Sequence, residues 1–180
     1  MASPWALPED LRLHLRLDSI DAEQAAATIA AAETIVRAAL QQTIDAVAAD
    51  SIGLAGNGRR IMNLPEMPVT AVISVTVDGT LLDADAWRVN RHGILTRRYG
   101  CWPLDADIGV VYDHGYPIVP APVKQVCVQV AGRAWVNPRG MASESIGDWS
   151  GTWDKARAGD ALTDYEMGLL QPYARGPESR

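Results

Sequence analysis

The chain has 180 residues, 48% hydrophobic and 21% charged, a balance that fits one folded domain with a tail and excludes disorder over its whole length. The net charge of −6 is uneven: residues 54–100 hold six arginines against four acids, whereas both ends are acidic. Those arginines (Arg59, Arg60, Arg88, Arg91, Arg97 and Arg98) are strewn over about forty positions. They do not form the dense stripe that grips phosphate, so repulsion from DNA is the default. No apolar run approaches the ~18 residues of a membrane span. The start, MASPWALPEDLRLHLRL, lacks a basic-then-apolar leader layout, so a soluble intracellular protein is expected.

Pro8-Glu9-Asp10-Leu11 opens a short helix over 9–17, with proline and acids in its first turn. Leu11, Leu13, Leu15 and Leu17 also alternate, so a strand competes there. Asp21 with Gln24 resembles a capping box, and Ile29, Ala32, Val36, Ala39 and Leu40 follow at helical spacing, predicting an alanine-rich helix over 21–41. From 43 to 113 short β-branched runs alternate with turn signals, a mostly antiparallel β-unit. Within it Gly56-Asn57-Gly58 predicts a hairpin between Ser51–Ala55 and Arg59–Leu64. Asp78-Gly79 predicts a tight turn after Val69–Val77, and Arg91-His92-Gly93 a turn between Trp87–Asn90 and Ile94–Arg97. Ile108–Tyr112 is the last strand. Pro122 then starts a helix over 122–136, with Val123, Val126, Cys127, Val130 and Ala131 on one face. Beyond 141 lies an extended tail, glycine-rich at first, with a capping box at Thr163–Glu166 opening a short helix over 163–171. The fold class is therefore α+β: a small helical bundle with an antiparallel β-unit, its core over 8–140 and a tail over 141–180.

Chemistry-bearing motifs are sparse. Cys101 and Cys127 stand 26 positions apart, outside any metal-ligand spacing, and free thiols are expected. Asp113 and His114 are adjacent, so on a strand they point to opposite faces and make no dyad by themselves. The glycines at 56 and 58 lack the Lys-Ser/Thr of a phosphate loop, and Ser143 and Ser145 lack the glycines of a nucleophile elbow. No catalytic residue, metal or cofactor is expected. Trp87, Trp102 and Trp135 fall in structured segments and read as core. Trp149 and Trp153 sit in a glycine-rich stretch and read as anchors for a partner.

The order of these segments resembles the head-to-tail adaptor (head–tail connector) proteins of long-tailed bacteriophages. The carrying residues are Glu9-Asp10-Leu11, the helix end Ile35-Val36-Arg37, and Leu64-Pro65-Glu66-Met67-Pro68-Val69-Thr70. After them come Ser74-Val75-Thr76-Val77-Asp78-Gly79, Arg91-His92-Gly93-Ile94-Leu95, Tyr112-Asp113-His114-Gly115-Tyr116-Pro117, and Ser143-Glu144-Ser145-Ile146-Gly147-Asp148-Trp149. Together they cover residues 8–171. The resemblance implies a non-enzymatic virion protein of the neck, made in the bacterial host cytoplasm. Such proteins form a ring of usually twelve copies below the portal, join it to a stopper or tail-completion protein, and let DNA pass without specific binding. On this reading Trp149, Trp153, Tyr165, Leu169 and Leu170 meet the portal. Asn57, Arg59, Arg60, Arg91 and His92, at the two turn tips, meet a neighbouring subunit or the stopper. The competing readings are another neck part (stopper or tail terminator), or a small enzyme that sets His92 or His114 against a carboxylate.

Overall fold

The computed structural model describes residues 4–137, 143–146, 149–152 and 161–175, with backbone alone between 143 and 152. The chain falls into two compact units: a helical one from Met1–Gln41 with Val119–Ala174, and a β one from Gln42–Ile118, with which Arg175 is grouped. The class is α+β as expected.

In the helical unit, α1 (Pro8–Leu15) and α2 (Ala22–Leu40) are followed, after the β unit, by α3 (Ala121–Val136) and α4 (Asp164–Leu170), which runs on into a 3₁₀ turn at Gln171–Tyr173. The α1 ambiguity resolves as a helix. Leu11 is buried and Leu15 half-buried on one side, whereas Leu13 is exposed, an i,i+4 pattern rather than alternation. Arg16, left-handed at φ 56°, ends it at Leu15, two residues before the expected end at 17. The α2 start is capped by the Asp21 carboxylate, which accepts the Gln24 N–H at 2.9 Å. Its buried stripe is Ala25, Ile29, Ala32, Val36 and Leu40, and each large member contributes about 2 kcal/mol by leaving water. Trp5, which the sequence reading passed over, is buried as well. Arg37 lies 4.0 Å above its ring, and Glu33 accepts its backbone N–H.

Helix α3 is the centre of this unit, packed by α1, α2 and α4. Gly132 lets α1 come close, since a Cβ there would stand 2.9 Å from the His14 ring. The short helix expected over 163–171 forms as α4, Asp164–Leu170, and packs on α3. The last α4 residue, Leu170, is 1% exposed and belongs to the core. This corrects its expected role as a portal anchor. A capping box starts α4, and the face that follows it carries Leu170 inward. Before it, β8 (Ser143–Ile146) and β9 (Trp149–Thr152) form a two-stranded antiparallel hairpin.

In the β unit, β1 (Val47–Ala55), β7 (Asp107–His114), β3 (Val69–Val77) and β4 (Thr80–Leu81) make a four-stranded antiparallel sheet in that order. A second sheet has the order β2 (Ile61–Asn63), β6 (Ile94–Arg97), β5 (Trp87–Val89). One core lies under both, built on Met62, Leu64, Val75, Leu95, Trp102, Ile108, Val110 and Tyr112. The Asp78-Gly79 turn forms as expected, both residues at positive φ (47° and 77°), and joins β3 to β4. The turn at Arg91-His92-Gly93 joins β5 to β6, with Asn90 Oδ1 accepting from both His92 and Ile94 N–H at 3.0 Å.

The hairpin expected over Gly56-Asn57-Gly58 does not form. Strands β1 and β2 belong to different sheets, and β1 pairs instead with β7. At Gly56 the backbone presses so closely on Pro103 that a Cβ would lie 1.8 Å from its carbonyl oxygen, and the Gly56 N–H donates to Ala106. Asn57 then turns the chain toward the other sheet, accepting from Arg59 N–H and donating to the Ile61 carbonyl, both at 2.9 Å. The turn chemistry was legible; its destination depended on a segment fifty residues further on.

Candidate functional site

Two surfaces carry the features that a binding protein needs, one in each unit. In the helical unit, α1, α3 and α4 frame a cleft of about 430 Å³ lined by His14, Gln129, Arg133, Thr163, Tyr165 and Glu166. Its floor is a charge pair. Both Arg133 Nη atoms donate to the Glu166 carboxylate, the Nη2–Oε2 bond at 3.1 Å, and Nη2 also reaches the Ala161 carbonyl. Glu166 is 2% exposed and also closes the capping box, accepting the Thr163 N–H at 2.9 Å. Burial alone would raise its pKa. The Arg133 bonds and the Thr163 N–H outweigh that, and hold the carboxyl below its ordinary value. Asp10 repeats the arrangement nearer the surface: burial opposes ionisation, but the Leu7 N–H and Lys124 (2.9 Å) prevail, and its pKa is lowered.

Above this floor, Tyr165 is 66% exposed and Leu169 half-buried. The backbone of Trp149 lies on β9, and Trp153 lies outside the described residues. Of the five residues expected to meet the portal, the fold brings Tyr165 and Leu169 together on α4 and withdraws Leu170 into the core.

The β unit presents the other surface. The six arginines strewn along the chain all fall on the three-stranded sheet or its turns. Arg59 and Arg60 precede β2, Arg88 lies on β5, Arg91 in the β5–β6 turn, and Arg97 and Arg98 at the end of β6. The sequence reading, which saw only their spacing, missed this gathering. Arg60 is pinned flat, its guanidinium donating to the Arg97 and Arg98 carbonyls at 3.0 and 3.1 Å. Arg97 lies 5.4 Å over the buried Trp102 ring. Arg91 Nε donates to His92 Nε2 at 3.2 Å. No ion pair among the described residues holds any of the six. Asn57, Arg59, Arg60, Arg91 and His92 are all exposed, although the polar groups of Asn57 are occupied by its own turn.

The histidine that does meet a carboxylate is His114. Its Nε2 lies 3.2 Å from Asp50 Oδ2, and its ring is 5.0 Å from that of Tyr112. Asp113, its neighbour in sequence, points the other way and accepts the Ala49 N–H. The His114 ring is 3% exposed, which shuts out a substrate. Burial also pushes the Tyr112 hydroxyl up to about 12 and the Cys127 thiol up to about 12, away from useful acid–base or nucleophilic ranges. Cys101 is exposed, and both thiols are free. Among the described residues no group of three or more His, Cys, Asp or Glu could hold a metal ion, and no helix is long and apolar enough to cross a membrane.

A family model described as head completion protein matches residues 9–136, and the chain belongs to that family. It is thus a structural protein of head completion, in keeping with the resemblance that the order of its motifs carries. Solved structures of similar fold include the neck of an empty gene transfer agent (GTA) particle computed with C6 symmetry, at TM-score 0.57. The virion of the native GTA particle matches at 0.58, and its neck computed with C12 symmetry at 0.56. Each is 15% identical and covers 98% of this chain; 92–93% of the matched chain is covered in turn. No curated protein matches.

Proposed function

We propose that the chain is the head-to-tail adaptor: a non-enzymatic subunit that closes, in twelve copies, a ring under the portal and joins the filled capsid to a stopper or tail-completion protein. DNA passes through the ring during ejection. The observation that carries this is the head completion family match over residues 9–136, on a fold shared with a neck of C12 symmetry. The long alanine-rich α2 favours it over a stopper or tail terminator, for which a barrel-dominated fold is expected. The α4 side of the helical unit, with Tyr165 and Leu169, docks on the portal, and Trp149 and Trp153 add anchors from the segment before α4. The turn tips at Asn57–Arg60 and Arg91–His92 face a neighbouring copy or the stopper.

The test is to mix purified portal with this protein and measure the mass of the complex. Because Glu166 and Leu170 belong to the core, removing everything past 144 would damage the fold itself. The informative variants are Tyr165→Ser and replacement of residues 138–160 by a short Gly/Ser linker. Tyr165→Ser should keep the far-ultraviolet circular dichroism of the wild type, the linker variant should keep its helical signal and lose only the β8–β9 hairpin, and both should lose portal binding at least tenfold. Undiminished binding by both would overturn the docking assignment, and absence of any portal complex with the wild type would overturn the adaptor reading.

A further inference from the structure

The β unit is divided by charge. Between residues 42 and 118 it holds six arginines, all on the three-stranded sheet and its turns, and nine acids, none of which lies between 59 and 63 or between 87 and 98. The acids cluster on the four-stranded sheet and its approaches: Asp45, Asp50, Asp78, Asp105, Asp107 and Asp113. Opposite charges within one small unit would ordinarily be paired or interspersed. Here the arginines gather on one sheet and six of the nine acids on or beside the other, with Glu66, Asp83 and Asp85 in the connections between them.

The two outward faces also differ in relief. On the three-stranded sheet Met62 and Leu95 point inward, so Ile61, Ile94 and Arg88 stand outward, with Ile61 50% and Ile94 36% exposed. On the β1–β7 pair, Ile52, Leu54, Ile108 and Val110 point inward, and the outward face carries small residues at Ser51, Gly53 and Ala55, beside Gly109 under the Thr76 hydroxyl, with Val111 as its one large side chain. Asp107, opposite Ala55, rims it at one end, and Asp113, whose carboxylate accepts the Ala49 N–H, at the other. From Ser51 to Ala55 this edge strand carries no charge, proline or lysine of the kind that ordinarily keeps an edge from pairing.

We propose that these two faces fit each other between copies of this chain: the isoleucine knobs and arginine rim of one copy seat on the small-residue, acid-rimmed β1–β7 face of the next. The contact joins two different surfaces, so repeating it runs head to tail and closes by rotation, as a ring requires. The inference rests on the ring reading above and names the surfaces that make the ring. Arginine suits the role, because its planar guanidinium meets carboxylates in a forked, paired geometry.

The test is a charge exchange, read as mass by sedimentation velocity at low salt. Arg88 and Asp107 are both exposed side chains, so Arg88→Glu and Asp107→Arg should leave the fold intact, as circular dichroism will report. The wild type should self-associate, and raising salt from about 50 to 500 mM should weaken that at least tenfold. Each single variant should be weakened about tenfold or more. A mixture of the two variants should regain association, because alternating copies restore opposite charges at every contact. Two outcomes would overturn the inference: a wild type that stays monomeric throughout, or variants whose mixture behaves no better than either alone. Arg88→Glu that loses only affinity for a 30-base-pair duplex, with association unchanged, would instead make this a nucleic-acid face. Portal binding by the same variants separates the readings: if it persists while self-association never appears, the adaptor role stands and the proposed contact fails.

Discussion

The helical and β units use charge in opposite ways. In the helical unit charges are tied: Arg12 to Glu9, Lys124 to Asp10, Arg37 to Glu33, and Arg133 to Glu166. The β unit leaves its six arginines without acidic partners among the described residues and relies on a sealed apolar core under Trp102, Tyr112, Leu95 and Ile108. Two of these pairs, Lys124–Asp10 and Arg133–Glu166, join separate helices, whereas the exposed arginines of the three-stranded sheet, Arg59, Arg88, Arg91 and Arg98, tie no elements together through a charge pair. Which residues destabilise when changed, and which alter only binding, should follow that division.

The largest effects should come from the β core. Trp102→Ala should remove about 4 kcal/mol of stability, read as an earlier urea midpoint, because a fully buried indole leaves a cavity that the two sheets cannot close. Gly56→Ala should also be severe, since the Pro103 backbone occupies the space a methyl needs. Next comes the latch of the helical unit. Glu166→Ala should cost about 3 kcal/mol, leaving a partly buried arginine without its carboxylate, and should expose α4 to proteolysis before the rest.

The same latch predicts a pH dependence. The folded Glu166 carboxyl binds its proton less tightly than the unfolded one, whose ordinary value is 4.5. Its stabilisation is therefore complete above about 4.5 and is lost as pH falls through the lower folded value. Urea titrations of wild type and Glu166→Gln should run parallel from pH 6 to 8 and converge in that acidic window; curves that stay parallel there would show that the pair does not titrate as described. Smaller still, Thr163→Ala should cost about 1 kcal/mol through its lost cap. At the bottom, Arg88→Glu and Arg98→Glu should leave stability within about 0.5 kcal/mol of wild type, because neither side chain holds the fold. A loss near that of Glu166→Ala would erase the contrast between the units.

Local signals announced local structure. The caps at Asp21 and Thr163 and the Asp78-Gly79 turn all appear where their residues place them, because each involves groups within a few positions. What stayed hidden was set by distant partners. The chain at Gly56 goes to a different sheet because of Pro103 and Ala106, and Leu170 is core because α3 lies beneath it. His114 meets Asp50, 64 positions away, rather than its neighbour. The arginine face was invisible for the same reason: β2, β5 and β6 assemble six residues that spacing alone disperses. Of the candidate docking residues, the exposed turn tips were legible from turn chemistry, whereas no pattern in the chain separates Leu169 from the buried Leu170.

The two ends of the β unit meet. The Ile44 carbonyl accepts the Tyr116 N–H at 2.8 Å, and Asp45 bridges Tyr116 in parallel. A segment whose entrance and exit are already side by side is a cassette: residues 42–118 should fold when expressed alone, and a short loop should take their place without unravelling the helices. The helical and β units would then be separable pieces of one chain, each carrying its own core.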